Sequence, residues 1–392
     1  MADQLPSFAS TRTEIKLAVE QNAIDRGTLF IRVIVSLDID GLFRQLEQFA
    51  SSYDKEEWRE RAESLGIDNS ALDLLDANDP PIPYIYYFAT PELLVEQPRF
   101  IFYFRNVAML SSKVMRGIGL DTARYENGQI VPTTDNAAEL GAYFNRIISA
   151  LILTGGVTTQ RHVEMLMVNL GDSLGGTSRN EVGRIAMMRL LNPLVRYLHE
   201  RDLLLSVVYS YKGSLEEDVD DTVDTNRQEV VITPDTDVES LLIDFERYRV
   251  KYHELILQNG SRLLVDRQIK WEDTDGNPHR IGPDLHSTSL AQDFVWAAEV
   301  KGGADPAGSD EHWKTATQAL NRILTASQAT GRSSPALAFI ATILVERVAL
   351  EAQKWIDEGK LTASYNLTRM LHDQKEMEIF CSDVTAFLVT ET

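Results

Sequence analysis

The sequence predicts an α/β fold in which a mixed central sheet follows a helical N-terminal region. In the first half of the 392 residues, apolar side chains recur at spacings near 3.6, as they do on one face of a helix. The second half alternates such stretches with short runs of alternating polarity, which are typical of strands. The run PALAFIATILV, residues 335–345, is apolar except for Thr342 and therefore suits a strand in the centre of the sheet.

Helical spacing in the first half predicts a series of helices, the last of which is interrupted at Pro193. They span Glu14–Asn22, Ile39–Ser51, Lys55–Ser64, Arg99–Val114, Asp135–Leu153 and Asn180–His199. Before the last helix, LGDSLGGTSRN (170–180) has the composition of a glycine-rich loop. Its backbone amides could hold a phosphate, although a plain loop with Asn180 as the helix cap is the simpler interpretation.

The second half has a regular succession of elements. The patterns predict a helix at Val238–Leu257, strands at Arg262–Trp271, Ile281–His286 and Phe294–Lys301, a helix from Asp310 to Gly331, and the strand at 335–345. This order is αβββαβ. From Glu346 onward the spacing of apolar residues is again helical.

Charge divides the chain into three predicted regions. Residues 213–246 hold twelve acids and one base, a local charge of −11 out of the net −21, and the most acidic part lacks the apolar residues of a core. We therefore expect a mainly helical region at 1–212, an acidic linker or loop at 213–237, and the α/β core with a helical tail at 238–392. Residues 99–196 carry a local +4, so the net acidity does not exclude a nucleic-acid partner.

Features that the sequence lacks limit the expected location of the protein and the kinds of metal ligand that it can offer. No stretch approaches 18 uninterrupted apolar residues, and the N-terminus has no signal pattern, so we expect a cytoplasmic protein with no membrane partner. Cys381 is the single cysteine, which rules out an intrachain disulfide framework and makes a cysteine-rich zinc site implausible. A metal ion would have to use oxygen or histidine ligands.

Two carboxylates and a lysine are predicted to meet on neighbouring strands. Side chains alternate along a strand, so Glu299 and Lys301 share a face, and an antiparallel neighbour can bring Asp284 close to Glu299. Asp284 and Glu299 would form a site for Mg²⁺, with Lys301 beside the water that the ion activates. Rivals for the first acid remain open: the second choice is Asp273, and the others are Asp266 and Asp275. Glu246 and Glu254, on the helix before the first strand, could add an acid to the site or simply be solvated.

The arrangement Asp284-x14-Glu299-x-Lys301 on the second and third strands resembles the PD-(D/E)xK nuclease superfamily. The stretch EVKGGADPAGSDEHWKTA (299–316) is similar to a segment of type II restriction endonucleases of the AvaI and BsoBI group. The resemblance implies that His312, eleven residues after Lys301, lies at the active site and that Asp305 reads bases. It also makes Lys314 a candidate DNA contact.

A second stretch, residues 86–120, is similar to a helical segment of several type II restriction enzymes. That similarity implies that Lys113 and Arg116, three residues apart on one helical face, contact guanine. Two solvated charges at a helix end are the alternative interpretation.

The implied function is Mg²⁺-dependent, site-specific hydrolysis of double-stranded DNA at a short palindrome, leaving 5′-phosphate ends. A palindromic site implies a homodimer, and the family implies a cognate DNA methyltransferase in the same system. Three alternatives stay open: a non-specific or repair-type nuclease of the same superfamily, a non-catalytic DNA-binding protein, and a metal-dependent hydrolase of small phosphate esters.

Overall fold

A computed structural model describes residues 5–50, 54–211, 227–272, 278–288, 294–329 and 334–389. The chain forms two compact units. We call Leu29–Ser178 the helical unit, and Met1–Thr28 together with Arg179–Thr392 the sheet unit. The boundaries predicted around residues 213–237 stay a prediction, since residues 212–226 lie outside the described part of the chain.

The helical unit consists of helices packed around an aromatic core. Two long helices, α1 (Arg12–Ser36) and α10 (Arg161–His199), have residues in both units. The others are α2 (Ile39–Ala50), α3 (Lys55–Arg61), α4 (Asn69–Asp76), α5 (Pro91–Glu96), α6 (Arg99–Val107), α7 (Ser112–Gly117), α8 (Ala123–Glu126) and α9 (Thr134–Gly155), with a 3-10 helix at Tyr84–Tyr86. The predicted helical N-terminal region is therefore confirmed.

Two buried polar side chains of the helical unit, Asn145 and His162, are hydrogen-bonded within its core. The Asn145 side chain accepts from the Ala89 amide at 2.8 Å and donates to the Leu65 and Ala89 carbonyls, both at 2.9 Å. His162 Nδ1 lies 2.6 Å from the Tyr103 hydroxyl, and burial lowers the pKa of His162 to about 4. His162 is therefore a neutral histidine of the core, where its ring packs among aromatic side chains.

The predicted glycine-rich loop at 170–180 and the predicted break at Pro193 are both wrong, because α10 is continuous through them. Leu166, Leu170 and Leu174 recur every four residues and are all buried, which stabilises helix despite the intervening glycines. Around Pro193, burial of leucines on both sides offsets the one backbone hydrogen bond that proline removes. The proposed phosphate cradle is thus the interior of a helix.

The predicted helix at Arg99–Val114 is two helices, α6 and α7. The chain leaves the helical conformation after Val107, and Met109 has a positive φ of 59°. Ser111 then caps α7, because its hydroxyl accepts from the Val114 amide at 3.2 Å. Lys113 and Arg116 both lie in this second, short helix.

The sheet unit contains a mixed sheet, as predicted. In the described residues its strands run in the order β10-β9-β8-β7-β4-β3-β1-β2. The pairs β8/β9 and β9/β10 are parallel and the others antiparallel. The strands are β1 (Leu204–Tyr211), β2 (Arg227–Val231), β3 (Val250–Leu257), β4 (Arg262–Val265), β7 (Leu285–Thr288), β8 (Phe294–Lys301), β9 (Ala336–Ala341) and β10 (Ala363–Asn366), and a separate antiparallel ribbon joins β5 (Ile269–Glu272) to β6 (Pro278–Ile281).

Helices cover both faces of this sheet. The elements are α11 (Val238–Arg247), α12 (Ser309–Ala329), α13 (Glu346–Asp357), α14 (Leu367–His372) and α15 (Gln374–Val389). Residues of α10, α11, α14 and α15 share a core with one face, and α12 and α13 share a core with the other. Trp313, Ala316, Leu320 and Ile323 follow the helical period and are the buried side of α12. No helix in the described ranges is long and apolar enough to cross a membrane.

Three predicted elements of the second half are divided in the structure. The predicted helix at Val238–Leu257 ends at Arg247, and after Arg249, with a positive φ of 54°, the chain continues as β3. The strand predicted at Arg262–Trp271 turns at Asp266, which also has a positive φ, into β4 and β5. The strand predicted at Ile281–His286 divides into β6 and β7. By contrast, β8 has the predicted bounds.

Candidate active site

Asp284 and Glu299 lie side by side where β7 begins and β8 ends. In the antiparallel register Leu285 pairs with Ala298, so Asp284, one residue before β7, lies opposite Glu299. The Asp284 carboxylate accepts a hydrogen bond of 2.7 Å from the Val300 amide, which holds the start of β7 against β8. The two acids predicted from the sequence are therefore neighbours.

Lys301 completes this group on the same strand. Its ammonium lies 3.1 Å from Glu299 Oε2, and Val300 between them points to the opposite face, where it packs against the core. The Glu299 residue is only 3% exposed, whereas the Lys301 side chain is 22% exposed. Lys301 can therefore reach solvent or a ligand, and Glu299 cannot rotate away from its neighbours.

Burial and the neighbouring Asp284 carboxylate disfavour the charged form of Glu299. Burial, the neighbouring Asp284 carboxylate and a hydrogen bond between the two acids raise the pKa of Glu299 to about 8, although Lys301 opposes the change. Burial also raises the pKa of Asp284, against the effects of Lys301 and the Val300 amide. One positive neighbour does not balance two clustered carboxylates. The donor set fits a hard divalent cation, which prefers carboxylate oxygens and would relieve the repulsion between them.

His312 lies in the first turn of α12 and is close to Lys301. Burial, followed by the charge of Lys301, lowers the pKa of His312, so that its ring is neutral at neutral pH. The ring packs against Gly303: a Cβ atom on Gly303 would lie only 2.6 Å from His312 Cε1. Trp313, the next residue of α12, packs edge-on against Phe339 of β9 at 5.0 Å between ring centroids and so anchors the helix to the sheet.

The loop after Lys301 is held tightly against the neighbouring strand. The Thr342 amide donates to the Lys301 carbonyl at 2.9 Å, and the Thr342 hydroxyl donates to the Gly302 carbonyl at 3.0 Å. A Cβ on Gly302 would lie 2.7 Å from Ala186 Cβ, so only glycine fits. The sequence indicated a turn at Gly302 and Gly303. It did not predict that Gly302 lies against Ala186 of α10 and Gly303 against His312.

The candidate base-reading residues lie in different places. Asp305 is exposed in the turn before α12, and its carboxylate accepts from the Ala307 amide at 3.0 Å. Lys314 is an exposed residue of α12 in the same unit. Lys113 and Arg116 are exposed on α7 of the helical unit.

Of the alternative acids that the structure describes, Asp266 lies nearest the pair. Its amide donates to the Asp284 carbonyl at 2.9 Å, and its charge contributes to the raised pKa of Asp284. The sequence provided no reason to prefer Asp266, because the pairing of β4 with β7 cannot be predicted from the local pattern of residues. Asp273 and Asp275 lie outside the described residues.

Two further acids that the sequence offered have other partners. Glu246 accepts from the Asn192 side chain at 3.0 Å. Glu254, in β3, has three arginines around its carboxylate. Within the described ranges, no group of three or more histidine, cysteine, aspartate or glutamate side chains is arranged to hold a metal ion. A metal at Asp284 and Glu299 would thus take its remaining ligands from water and substrate.

The mixed α/β sheet with its helical N-terminal region is consistent with the restriction endonuclease fold. The profile of the family described as restriction endonuclease BsobI matches residues 157–377, which is more than half of the chain. The chain therefore belongs to this family, and the predicted resemblance to the AvaI and BsoBI group is confirmed.

Curated relatives agree with this assignment. The type II restriction enzyme BsoBI of Geobacillus stearothermophilus is 29% identical over 200 residues, which cover 51% of this chain and 58% of the relative. The type II restriction enzyme AvaI, from a Nostoc species and from Anabaena variabilis, is 28% identical over 209 residues, covering 53% of this chain and 61% of the relative. The matched region thus spans less than two thirds of either relative.

Proposed function

We propose that this chain is a type II restriction endonuclease that hydrolyses phosphodiester bonds of double-stranded DNA at a short palindrome. The observation that carries the proposal is the cluster of Asp284, Glu299 and Lys301 in a member of the BsobI family. The succession α11, β3, β4, β7, β8, α12, β9 supports a PD-(D/E)xK core, with the ribbon β5–β6 inserted between its first strands and β7.

Asp284 and Glu299 are the proposed ligands of Mg²⁺. Burial raises both pKa values, and the Asp284 carboxylate raises that of Glu299 further, as is typical of acids at functional sites. When bound, the ion supplies a Lewis acid for the phosphate and lowers the pKa of a bound water. The protein side chains would hold the attacking water, accept its proton and stabilise the negative charge on the phosphate.

Lys301 and His312 are proposed to act on the attacking water and the scissile phosphate. The Lys301 ammonium, fixed 3.1 Å from Glu299, positions the water and stabilises negative charge on the phosphate oxygens. The neutral His312 ring accepts the proton of the water or donates a hydrogen bond to the phosphate. Attack on phosphorus then breaks the bond to the 3′ oxygen and leaves 5′-phosphate and 3′-hydroxyl ends.

Recognition and assembly complete the proposal. Lys113, Arg116, Asp305 and Lys314 are proposed DNA contacts, since all four side chains are exposed and suited to hydrogen bonds with bases or phosphates. A palindromic site read symmetrically requires a homodimer, and protection of the host genome requires a DNA methyltransferase of the same specificity. We also retain the cytoplasm as the proposed location.

The test is digestion of unmethylated phage DNA with and without Mg²⁺, followed by sequencing of the fragment ends. The wild-type chain is compared with Lys301→Ala and with Lys375→Ala, an exposed lysine of α15. We expect discrete, Mg²⁺-dependent fragments that share one palindrome, unchanged in Lys375→Ala and absent in Lys301→Ala. A featureless smear would instead indicate a non-specific nuclease. Intact DNA under every condition would contradict the nuclease proposal.

A further inference from the structure

The ribbon β5–β6 leaves the sheet beside the candidate active site. It lies in the chain between Asp266, at the end of β4, and Asp284, at the start of β7, which are joined by a backbone hydrogen bond of 2.9 Å. Ile269 and Ile281 are opposite each other at its base and pack against the core shared with α12 and α13. The ribbon is therefore anchored on the α12 side of the sheet.

Two cations face each other across this ribbon. Lys270 of β5 pairs with Arg280 of β6, and both are exposed. Like charges directly opposite each other destabilise an antiparallel pair. Within the described residues, no carboxylate lies within salt-bridge distance of either side chain, and Glu272 is the one acid among the ribbon's described residues. An anion bound between the two side chains would offset this repulsion.

A second group of cations surrounds Glu254 on β3. Its carboxylate is contacted by Arg227 at 2.5 Å, Arg262 at 3.4 Å and Arg267 at 3.9 Å. The single Glu254 carboxylate cannot by itself balance the charges of all three guanidinium groups. The side chains of Arg262 and Arg267 are 53% and 37% exposed, and they can therefore contact a ligand while Glu254 orients them.

The arginine cluster and the candidate active site share one face of the sheet. Val265 pairs with Leu285, Leu285 pairs with Ala298, and all three belong to the core on the opposite face. Arg262 is three residues before Val265 on β4, and Glu299 is next to Ala298 on β8. Alternation along the strands therefore directs both Arg262 and Glu299 to the α12 side, where the ribbon is anchored.

We propose that Lys270, Arg280, Arg262 and Arg267 bind the phosphate backbone of a DNA duplex beside the scissile bond. This inference rests on the proposed function, which makes duplex DNA the substrate. A polyanion fits better than a single small phosphate ester, because the four cations are distributed over a ribbon and a neighbouring strand. In a chain of net charge −21, a local positive surface on the face of the acid pair also steers DNA to that face.

The experiment measures how the affinity for a duplex of random sequence depends on salt, without divalent cations so that the DNA stays intact. Fluorescence anisotropy is recorded for the wild type, for Lys270→Gln/Arg280→Gln and for Arg262→Gln/Arg267→Gln. Lys375→Gln is the matched control, since α15 packs on the opposite face of the sheet. The charge-conserving pair Arg262→Lys/Arg267→Lys separates charge from structure.

Each double Gln variant should reduce the slope of log affinity against log salt by about 1.8, because about 0.9 is lost per phosphate contact. The melting temperature of Lys270→Gln/Arg280→Gln should be unchanged or higher, since the like-charged pair is removed. The control and the Lys variant should keep the wild-type slope. Wild-type slopes in both Gln variants, or equal losses in the Lys variant, would overturn the inference while leaving the nuclease proposal intact. A wild type that neither binds nor cuts DNA would overturn both.

Discussion

Two buried glutamates of the sheet unit have opposite electrostatic environments. Glu181 and Glu299 are 4% and 3% exposed, so burial penalises both carboxylates. For Glu181, hydrogen bonds and charge from Arg184 and Arg249 outweigh burial and lower its pKa to about 2. For Glu299, burial and the neighbouring Asp284 outweigh Lys301 and raise its pKa to about 8.

The difference lies in what the protein provides for each charge. Glu181 receives nitrogen donors at 2.7 Å from both Arg184 and Arg249, so its charge is fully compensated inside the fold. Glu299 has one lysine, which it shares with a second carboxylate. Compensation of the first kind stabilises the protein, whereas a bound cation would compensate the deficit that we propose at Glu299. We infer that Glu181 is structural and Glu299 functional.

The largest effect should follow substitution of the functional glutamate. Glu299→Gln should lower the cleavage rate at least 1000-fold, about 4 kcal/mol in activation free energy, because it removes a ligand charge from the proposed metal site. Its melting temperature without Mg²⁺ should not fall, because an amide is uncharged, as the Glu299 carboxyl mostly is at neutral pH with its pKa of about 8. Rates are measured on plasmid DNA and melting by calorimetry. A wild-type cleavage rate in Glu299→Gln would contradict the functional role that we infer for Glu299.

Substitution of the structural glutamate should have the reverse result. Glu181→Gln leaves the guanidinium groups of Arg184 and Arg249 without their carboxylate, and we expect a loss of about 3 kcal/mol in the free energy of unfolding. Cleavage per folded molecule should stay within a few-fold of the wild type. Urea denaturation supplies the first quantity and initial rates the second. An unchanged free energy of unfolding would show that the ion pairs contribute nothing.

The Glu181 contribution should depend on acid pH in a defined direction. Its pKa of about 2 in the folded chain lies below the ordinary 4.5, so the unfolded state binds the proton more tightly. This stabilisation is present above pH 4.5 and is lost as the pH falls toward 2, a total of about 3 kcal/mol. The stability difference between the wild type and Glu181→Gln should shrink over that window. A difference independent of pH would contradict the assignment.

A smaller effect is expected from the contact between Gly303 and His312. Gly303→Ala places a methyl group 2.6 Å from His312 Cε1, so the ring must move, and cleavage should fall by roughly 10-fold to 100-fold. The matched control is Gly155→Ala in α9, where a Cβ meets no atom within 4 Å. Wild-type activity in Gly303→Ala would mean that the position of His312 is unimportant.

Local patterns predicted the parts of the fold whose signals are local. The helix from Asp310 corresponds to α12, because its tryptophan, alanine and leucine follow one helical face. The helix predicted over Val238–Leu257 is wrong after Arg247, since three of the five buried positions of β3, Val250, Glu254 and Leu257, also fit a helical spacing. In the sequence pattern of α10, the glycines favoured a loop more strongly than the leucines favoured a helix. In the structure, burial of the leucines stabilises the helix despite the glycines.

The candidate site was predictable only where strand pairing follows the order of the chain. Asp284 and Glu299 flank one connection between paired strands, so their proximity could be expected. Asp266 reaches Asp284 through a pairing that skips the ribbon, and the contact of Gly303 with His312 depends on where α12 begins. Neither contact can be predicted from the local spacing of residues in the sequence. The catalytic and DNA-binding roles of these residues stay predictions.

The most direct test of the central claim is whether Asp284 and Glu299 bind Mg²⁺. The measurement is the rise in melting temperature with increasing Mg²⁺ for the wild type, Asp284→Asn and Glu181→Gln. A ligand that binds the folded state stabilises it in proportion to the logarithm of its concentration above Kd. We predict the rise in the wild type and in Glu181→Gln, and its loss in Asp284→Asn. An equal rise in all three proteins would contradict the claim that this acid pair is the metal site.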